Sequence, residues 1–331
     1  QMLKNPNKQT SDFIYKSHFQ IVMTFNIRQI NCPEKDSVMK IVLHAGVKCT
    51  DEERLLTTLR SNKDILAQRR VAVPDPRNYR VILRETLNKM RHQDPSEEAR
   101  DILLDVFLEG EADDIETVFL SNAFFFGIPR EAIANDQFYP KAVTSLAKFL
   151  HLFQEDDVLL TFALRNPASF VPNLFHASNV TEFGGILNNS NPLSLKWSEL
   201  VLRLRNAFPD LPMFLWCNED TPFIWGQIIR TLTNLPYPQK IRGDFDLYQD
   251  ILPADAFARF QQYLETHPSM NVSQLKKVMF AFAERFALPD VMDEVIDAPN
   301  WTDTLIEKLT IIYDKDIEAI ARIPKTQLLL P

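Results

Sequence analysis

Residues 40–56, KIVLHAGVKCTDEERLL, contain a strand, a glycine turn and the beginning of a helix, and this unit decides the fold. Residues 41–43 are apolar without interruption, as expected of a strand that is covered on both faces. Thr50 is a suitable helix N-cap and Glu53 follows three residues later, which predicts a capping box. We therefore expect a buried strand, a short loop and a helix over about residues 50–70.

Short apolar runs alternate with helical stretches along the rest of the chain. The strongest predicted strand is DVLLTFAL at 157–164, and the other predicted strands after the first are 71–73, 117–121 and 213–216. Such alternation predicts βαβ units, so we expect an α/β fold in which a mainly parallel central sheet lies between two helical layers, a three-layer αβα arrangement. The C-terminal part is helix-rich, with predicted helices at 254–266, 271–287 and 302–321.

The first 38 residues differ in character from the rest of the 331-residue chain. Their apolar residues are interrupted by polar ones, and they form neither the roughly 7–15-residue apolar core nor the cleavage site of a signal peptide. Met39 opens directly into the predicted first strand. We therefore interpret residues 1–38 as an extension with little order and residues 39–331 as a single domain.

The composition excludes several classes of protein. The net charge is −8, and an acidic chain is poorly suited to grip phosphate backbones, so no nucleic-acid partner is expected. No apolar run reaches the roughly 18 residues of a membrane-spanning helix, so no membrane partner is expected. The three cysteines are far apart and the six histidines lack metal-binding spacing, which predicts neither a disulfide framework nor a metal site. A cytoplasmic protein is the resulting expectation.

Several polar side chains follow strand ends, where a parallel sheet places its functional loops. Gly46, Lys48 and Thr50 follow the first strand and supply the glycine, cation and hydroxyl of a phosphate-binding loop. Arg165 ends a buried strand, where its guanidinium can bind an anion. Structural alternatives stand beside both cations, because Lys48 can pair with Glu52 one helical turn on and Arg165 can pair with a carboxylate. The carboxylates within reach of Arg165 in this interpretation are Asp157, Glu219 and Asp220.

The loop of residues 44–50 resembles the cofactor loop of sulfotransferases that use 3′-phosphoadenosine 5′-phosphosulfate (PAPS). Residues 164–170, LRNPASF, resemble the second phosphate motif of that family. Residues 215–225, LWCNEDTPFIW, and the segment 301–324 are similar to a bacterial branch of sulfotransferase-like proteins. The resemblance covers about residues 40–331, its phosphate motifs are degenerate, and it implies a P-loop type of α/β fold.

The resemblance implies roles for individual residues. Gly46, Lys48 and Thr50 would belong to the cofactor-binding site, with Lys48 near the 5′ end of PAPS. Arg165 and Asn173 would bind its 3′-phosphate, with Asn173 standing where the family has serine. The implied activity is transfer of a sulfuryl group to a hydroxyl or amine of a small-molecule or carbohydrate acceptor.

Two residues are candidates for the base that deprotonates the acceptor. His44 ends the first strand, and Glu219 follows the strand at 213–216. Each also has a structural interpretation, since a histidine at a strand end is often a buried packing residue and Glu219 can cap the following helix.

The acidic turn, residues 51–53 (DEE), departs from the Gly-Thr-Thr of the sulfotransferase loop. If these carboxylates point at the cofactor, repulsion between like charges about 4–5 Å apart costs on the order of 3–4 kcal/mol at an effective dielectric of about 20. This departure supports an alternative function, a catalytically inactive binding or interaction protein with the same fold. Residues 124–126, FFF, have two interpretations as well: an acceptor or adenine pocket, or plain core packing.

Overall fold

The apolar runs of the sequence form strands in the computed structural model, which describes residues 39–237, 239–292, 296 and 298–331. The expectation for residues 1–38 lies outside the described residues. The strands are β1 (Lys40–His44), β2 (Val71–Ala72), β3 (Thr117–Ser121), β4 (Ile133–Ala134), β5 (Gln137–Phe138), β6 (Asp157–Leu164), β7 (Met213–Cys217) and β8 (Thr326–Leu329). The short hairpin of β4 and β5, like β8, carries no strand prediction from the sequence.

Six of these strands form one sheet in the order β2–β3–β1–β6–β7–β8, and every neighbouring pair is parallel. β1 lies at the centre, where Val42 is opposite Phe119 of β3 and Leu159 of β6. All three of these side chains are buried, as the uninterrupted apolar runs predict for strands covered on both faces. The prediction of a parallel central sheet is confirmed.

Helices connect the strands and cover both faces of the sheet. Before β6 they are α1 (Arg54–Ser61), α2 (Lys63–Ala67), α3 (Pro76–Lys89), α4 (Ala99–Phe107) and α5 (Ala142–Leu152). After β6 they are α6 (Pro167–His176), α7 (Phe183–Leu187), α8 (Trp197–Ala207), α9 (Thr221–Thr233), α10 (Asp246–Asp250), α11 (Ala254–Thr266), α12 (Val272–Phe286), α13 (Pro289–Met292) and α14 (Asp303–Ile320). Within the described residues, none of these helices combines the length and the apolar character needed to cross a membrane.

Two apolar cores, one on each face of the sheet, make the structure three-layered. The core that includes Ile41 and Leu43 is covered by α3 to α8 and α14. The core that includes Val42 is covered by α1, α2 and α9 to α12. The alternation of these three residues between two cores follows from the two-residue period of a strand, and it confirms the predicted αβα arrangement.

The connections place a crevice between the carboxyl ends of β1 and β6. From β1 the chain passes through α1 on one face toward β2, whereas from β6 it passes through α6 on the other face toward β7. Neighbouring strands whose connections leave on opposite faces define a topological switch point, the usual ligand position in open α/β sheets. We call this place the crevice, bordered by residues 45–53 and 165–169.

The helix predicted from Thr50 begins four residues later than expected. Glu52 and Glu53 have φ values of 47° and 73°, in the left-handed region, so they cannot belong to a right-handed helix, and α1 starts at Arg54. Thr50 is therefore not the N-cap, and its hydroxyl instead donates to the carbonyl of Val47 at 2.6 Å. The helix also divides at Asn62, which separates α1 from α2.

Candidate functional site

Gly46 fixes the path of the loop that follows β1. Its φ of 92° lies in the region that favours glycine, and a Cβ at this position would lie 2.8 Å from the Cα of Ala123. The loop is thus pressed against the segment that follows β3, and the backbone leaves no room for a side chain. The glycine predicted as part of an anion loop is required by the turn itself.

Lys48 lies in the same loop and is half-buried. Within the described residues it makes no ion pair, so the suggested pair with Glu52 is not formed. Glu52 is exposed. Lys48 therefore lies on the loop that borders the crevice, and no carboxylate pairs with it in the described part of the chain. The hydroxyl of Thr50, by contrast, is already used inside the loop.

Arg165 joins the end of β6 to the loop after β1. Its Nη1 donates to the carbonyl of Cys49, and its Nε lies 3.1 Å from the hydroxyl oxygen of Ser169. Its own carbonyl accepts a 2.7 Å hydrogen bond from the indole Nε1 of Trp197. The guanidinium thus lies beside the residue that follows Lys48, so the structure brings these two predicted cations to one edge of the sheet.

Asn173 is connected to Arg165 through Ser169. The side-chain amide of Asn173 donates to the carbonyl of Ser169, one helical turn earlier, at 2.9 Å. Ser169 is buried, and the sequence motif gives it no role because the motif's serine is expected eight positions after Arg165, where this chain has Asn173. A serine four positions after the arginine, one turn into α6, is the signal that points to this contact.

The three carboxylates of the acidic turn have different environments. Asp51 accepts a 2.9 Å hydrogen bond from the backbone N–H of Leu55 and so caps α1 from outside the helix. Glu52 is exposed, and Glu53 forms an ion pair of 2.9 Å with Arg80. The expectation that all three lie within the first helical turn is wrong, because the turn precedes α1.

Arg80 is a residue of the crevice rim that the loop motif does not reveal. It belongs to α3, and its Nε donates to the carbonyl of Ser121, the last residue of β3, at 2.8 Å. The hydroxyl of Tyr79 donates to the same carbonyl at 2.7 Å. Only the strand order, which places the end of β3 next to that of β1, brings Arg80 near Glu53.

His44 lies under the loop rather than in the crevice. It is 2% exposed, its Nδ1 is 3.0 Å from the hydroxyl oxygen of Ser121, and its ring stacks against Phe119 and Trp216. Burial lowers the pKa of this imidazole, although Asp51 and Glu53 oppose the shift. The geometry matches the packing interpretation of His44.

Glu219 holds together the ends of β6 and β7 and the helix α14. One carboxylate oxygen accepts a 2.7 Å hydrogen bond from the backbone N–H of Asn166, and the other accepts a 3.1 Å hydrogen bond from the hydroxyl of Tyr313. Burial raises the pKa of Glu219, and the two donors and the nearby Arg165 act in the opposite direction. No side-chain cap was found at the start of α9, so Glu219 has a connecting role in place of the predicted cap.

Two of the three consecutive phenylalanines belong to the core. Phe125 and Phe126 are buried and make edge-on contacts with Phe149 and Phe162, with ring centroids 5.6 and 5.5 Å apart. Phe124 is 49% exposed on the segment that follows β3. The core-packing interpretation holds for two of the rings, and Phe124 is left at the surface.

The crevice as a whole can bind an anion more readily than it can move a proton. Lys48 and Arg165 supply positive charge at the switch point, close to the N-terminus of α1. The two candidate bases are already held by hydrogen bonds, His44 with Ser121 and Glu219 with Asn166 and Tyr313. Among the residues that the structure describes, no three His, Cys, Asp or Glu side chains are grouped so that they could hold a metal ion.

Comparisons with known proteins do not assign a function, so the functional interpretation rests on the geometry of the site and on the sequence motifs. No protein-family model, curated protein or solved structure matches this chain.

Proposed function

We propose that the protein is sulfotransferase-like and binds PAPS, or the product nucleotide adenosine 3′,5′-bisphosphate, in the crevice. The observation that supports the proposal is the hydrogen bond between Arg165 and the Cys49 carbonyl, which places the second predicted cation against the loop that carries Lys48. A nucleotide with phosphates at both ends can neutralise both cations at once. Gly46 and Thr50 maintain the shape of the loop, and Asn173 acts through Ser169.

The acidic turn does not prevent this binding mode. Asp51 is engaged by α1 and Glu53 by Arg80, so two of the three carboxylates already have intramolecular partners. Their charges therefore oppose a bound phosphate less than free carboxylates at the same places would.

The chemical step, if the protein performs it, is a sulfuryl transfer. A bond forms between the acceptor oxygen or nitrogen and sulfur, the bond between sulfur and the 5′-phosphate oxygen breaks, and the acceptor proton passes to a base. The acceptor would be a small molecule or a carbohydrate. Lys48 would stabilise the negative charge that develops on the leaving phosphate.

A second candidate function, nucleotide binding or partner recognition without catalysis, is favoured by the two candidate bases. The carboxylate of Glu219 is held between Asn166 and Tyr313, and His44 is buried beneath the loop. The existing hydrogen bonds of Glu219 and the burial of His44 oppose a role for either side chain in taking the acceptor proton. Binding without turnover is the result that this candidate predicts.

Thermal unfolding with millimolar adenosine 3′,5′-bisphosphate tests the proposal, with AMP as the control for the 3′-phosphate. A ligand at about a hundred times its Kd stabilises by about 2.7 kcal/mol, which raises Tm by several degrees. Lys48→Ala should weaken binding by about tenfold or more, since hydrogen bonds to charged groups contribute about 1.5–3 kcal/mol. Lys63→Ala, an exposed lysine at the start of α2, is the matched control and should bind like the unaltered protein.

The same preparations separate the two candidates when PAPS is supplied with hydroxyl and amine acceptors. Nucleotide release that depends on both PAPS and acceptor supports the transferase. Binding with no release supports the non-catalytic candidate. An equal response to AMP and to the bisphosphate, or no response to either, would reject nucleotide binding as proposed.

A further inference from the structure

Glu53 places a carboxylate at the rim of the crevice, directly before the first residue of α1. Its left-handed backbone, with φ 73°, turns the chain into the helix at Arg54. Backbone N–H groups at a helix N-terminus attract anions, and a free carboxylate at that place would compete with one and repel it. The charge state of the rim therefore depends on what neutralises Glu53.

Arg80 neutralises Glu53 from a different element of the fold. Its Nη2 lies 2.9 Å from one carboxylate oxygen of Glu53 and 3.0 Å from the other. The Nε of the same guanidinium donates to the Ser121 carbonyl at 2.8 Å, so α3 and the end of β3 both fix its position. The side chain of Arg80 is 25% exposed, and that of Glu53 is 42% exposed. The pair is thus partly shielded from water, and its charges interact more strongly than on an open surface.

The cation next to Glu53 in sequence does not perform this task. Arg54 forms an ion pair with Asp250 of α10 instead, and the two side chains are 42% and 49% exposed. Arg165 is directed at the Cys49 carbonyl and Ser169 on the other side of the loop. Arg80 is consequently the guanidinium that the structure assigns to Glu53.

We propose that Arg80 sets the charge preference of the crevice. By holding Glu53 in an ion pair, Arg80 allows the site to bind a ligand that carries phosphate or sulfate. Without Arg80, the carboxylate of Glu53 repels such a ligand. This inference rests on the proposed function of the crevice and extends it to a residue outside the loop motif. Arg80 is a positioning residue, because it acts through Glu53 and not by contact with the ligand.

Isothermal titration with two probes tests the inference, adenosine 3′,5′-bisphosphate and inorganic pyrophosphate as a bare anion. Arg80→Ala should weaken binding of both by about tenfold, since it exposes one negative charge at the rim. Glu53→Gln should tighten binding by about two- to fivefold, because Arg80 is then unopposed. The double variant should return to within about threefold of the unaltered protein, since both charges are absent.

Arg77→Ala is the matched control, because Arg77 lies one turn earlier on α3, is 87% exposed and is paired with Asp75. It should leave the affinity for both probes unchanged. Circular dichroism establishes that each variant is folded. If Arg80→Ala does not fold, the Glu53→Gln variant decides alone: tighter binding supports the inference, and unchanged or weaker binding overturns it.

The remaining outcomes distinguish this inference from the function on which it rests. A double variant as weak as Arg80→Ala means that Arg80 contacts the ligand or supports the fold, and the inference is wrong. If the protein binds pyrophosphate but not the nucleotide, the proposed function is rejected. The pyrophosphate affinities of the variants then still test whether Arg80 controls anion binding through Glu53. If the unaltered protein binds neither probe, both proposals fail.

Discussion

The two sides of the crevice are built in different ways. On the β1 side, the loop contains left-handed residues and is held by two guanidiniums, Arg80 through Glu53 and Arg165 through the Cys49 carbonyl. On the β6 side, Asn166 and Glu219 are locked by buried hydrogen bonds that reach α14. We call the β1 side irregular and the β6 side regular. The guanidiniums of Arg80 and Arg165 contact the irregular loop, whereas both carboxylate oxygens of Glu219 on the regular side already accept hydrogen bonds. A site of this kind favours anion binding over proton transfer.

The largest expected effect is on the regular side, where Trp197 supports the end of β6. Its ring is fully buried, stacks on Phe138 with centroids 4.2 Å apart, and donates to the Arg165 carbonyl. Trp197→Ala should lower the free energy of unfolding by about 3–5 kcal/mol, measured by denaturant unfolding. Trp197→Phe keeps most of the ring and should cost clearly less. Equal losses in both variants would mean that the hydrogen bond, not the packing, stabilises this side.

The next effect is on the irregular side, at Gly46. Gly46→Ala should cost about 2–4 kcal/mol, because the left-handed backbone costs about 1–2 kcal/mol and the new Cβ would meet the Ala123 backbone. Gly110→Ala is the matched control, since Gly110 has a φ of 84° with nothing within 4 Å of the added Cβ. It should show only the backbone cost. If the two substitutions cost the same, the close approach of the two loops contributes nothing.

A smaller effect follows from the burial of His44 beneath the loop. Its folded-state pKa is lowered below the ordinary value of 6.5, so the unfolded chain binds the proton more tightly. The stability due to neutral His44 is present above pH 6.5 and is lost as the pH falls, by at most about 1.4 kcal/mol per pH unit for one proton.

Unfolding of the unaltered protein and of His44→Gln at several pH values between 5.5 and 7.5 measures this effect. The difference in stability between them should shrink as the pH falls. A difference that stays constant over this pH range would contradict the pKa shift.

The smallest expected effect concerns the ion pair of Arg54 with Asp250. Both side chains are more than two-fifths exposed, so solvent screens the pair, and Arg54→Ala should change stability by less than about 1 kcal/mol. Denaturant unfolding at low and high salt measures it. A larger loss of stability that shrinks at high salt would show that the ion pair fastens α1 to α10, and that the irregular side depends on this contact.

Local patterns predicted the layers of the fold but not the exact start of the first helix. Residues 41–43 and 158–160 are apolar because both faces of the sheet are covered, and that requirement is visible in the sequence. Thr50 and Glu53 fit a capping box, yet Glu52 and Glu53 adopt left-handed backbone, Thr50 bonds to the Val47 carbonyl and Glu53 pairs with Arg80. Tertiary contacts here override a local preference.

The site was predictable only in part, for the same reason. Gly46, Lys48 and Arg165 follow strand ends, and the rule that parallel strands end at one edge brings them together. Arg80 lies on α3, in the middle of a helix, with no motif to mark it, and its role depends on the strand order. Ser169 was not predicted because the motif points to the position eight residues after Arg165 and not to the serine four residues after it.

The central position of β1 has a consequence for how the crevice arises during folding. Lys40 pairs with Thr117 on one side and Asp157 on the other, so both neighbours of β1 come from far along the chain. Long stretches of chain must be brought together before either pairing forms, which slows folding. Arg80 and Arg165 therefore reach the loop after β1 late in folding. The loop motif is local in sequence, but the candidate site is complete only after distant parts of the chain have come together, and a peptide that contains only the motif does not contain it.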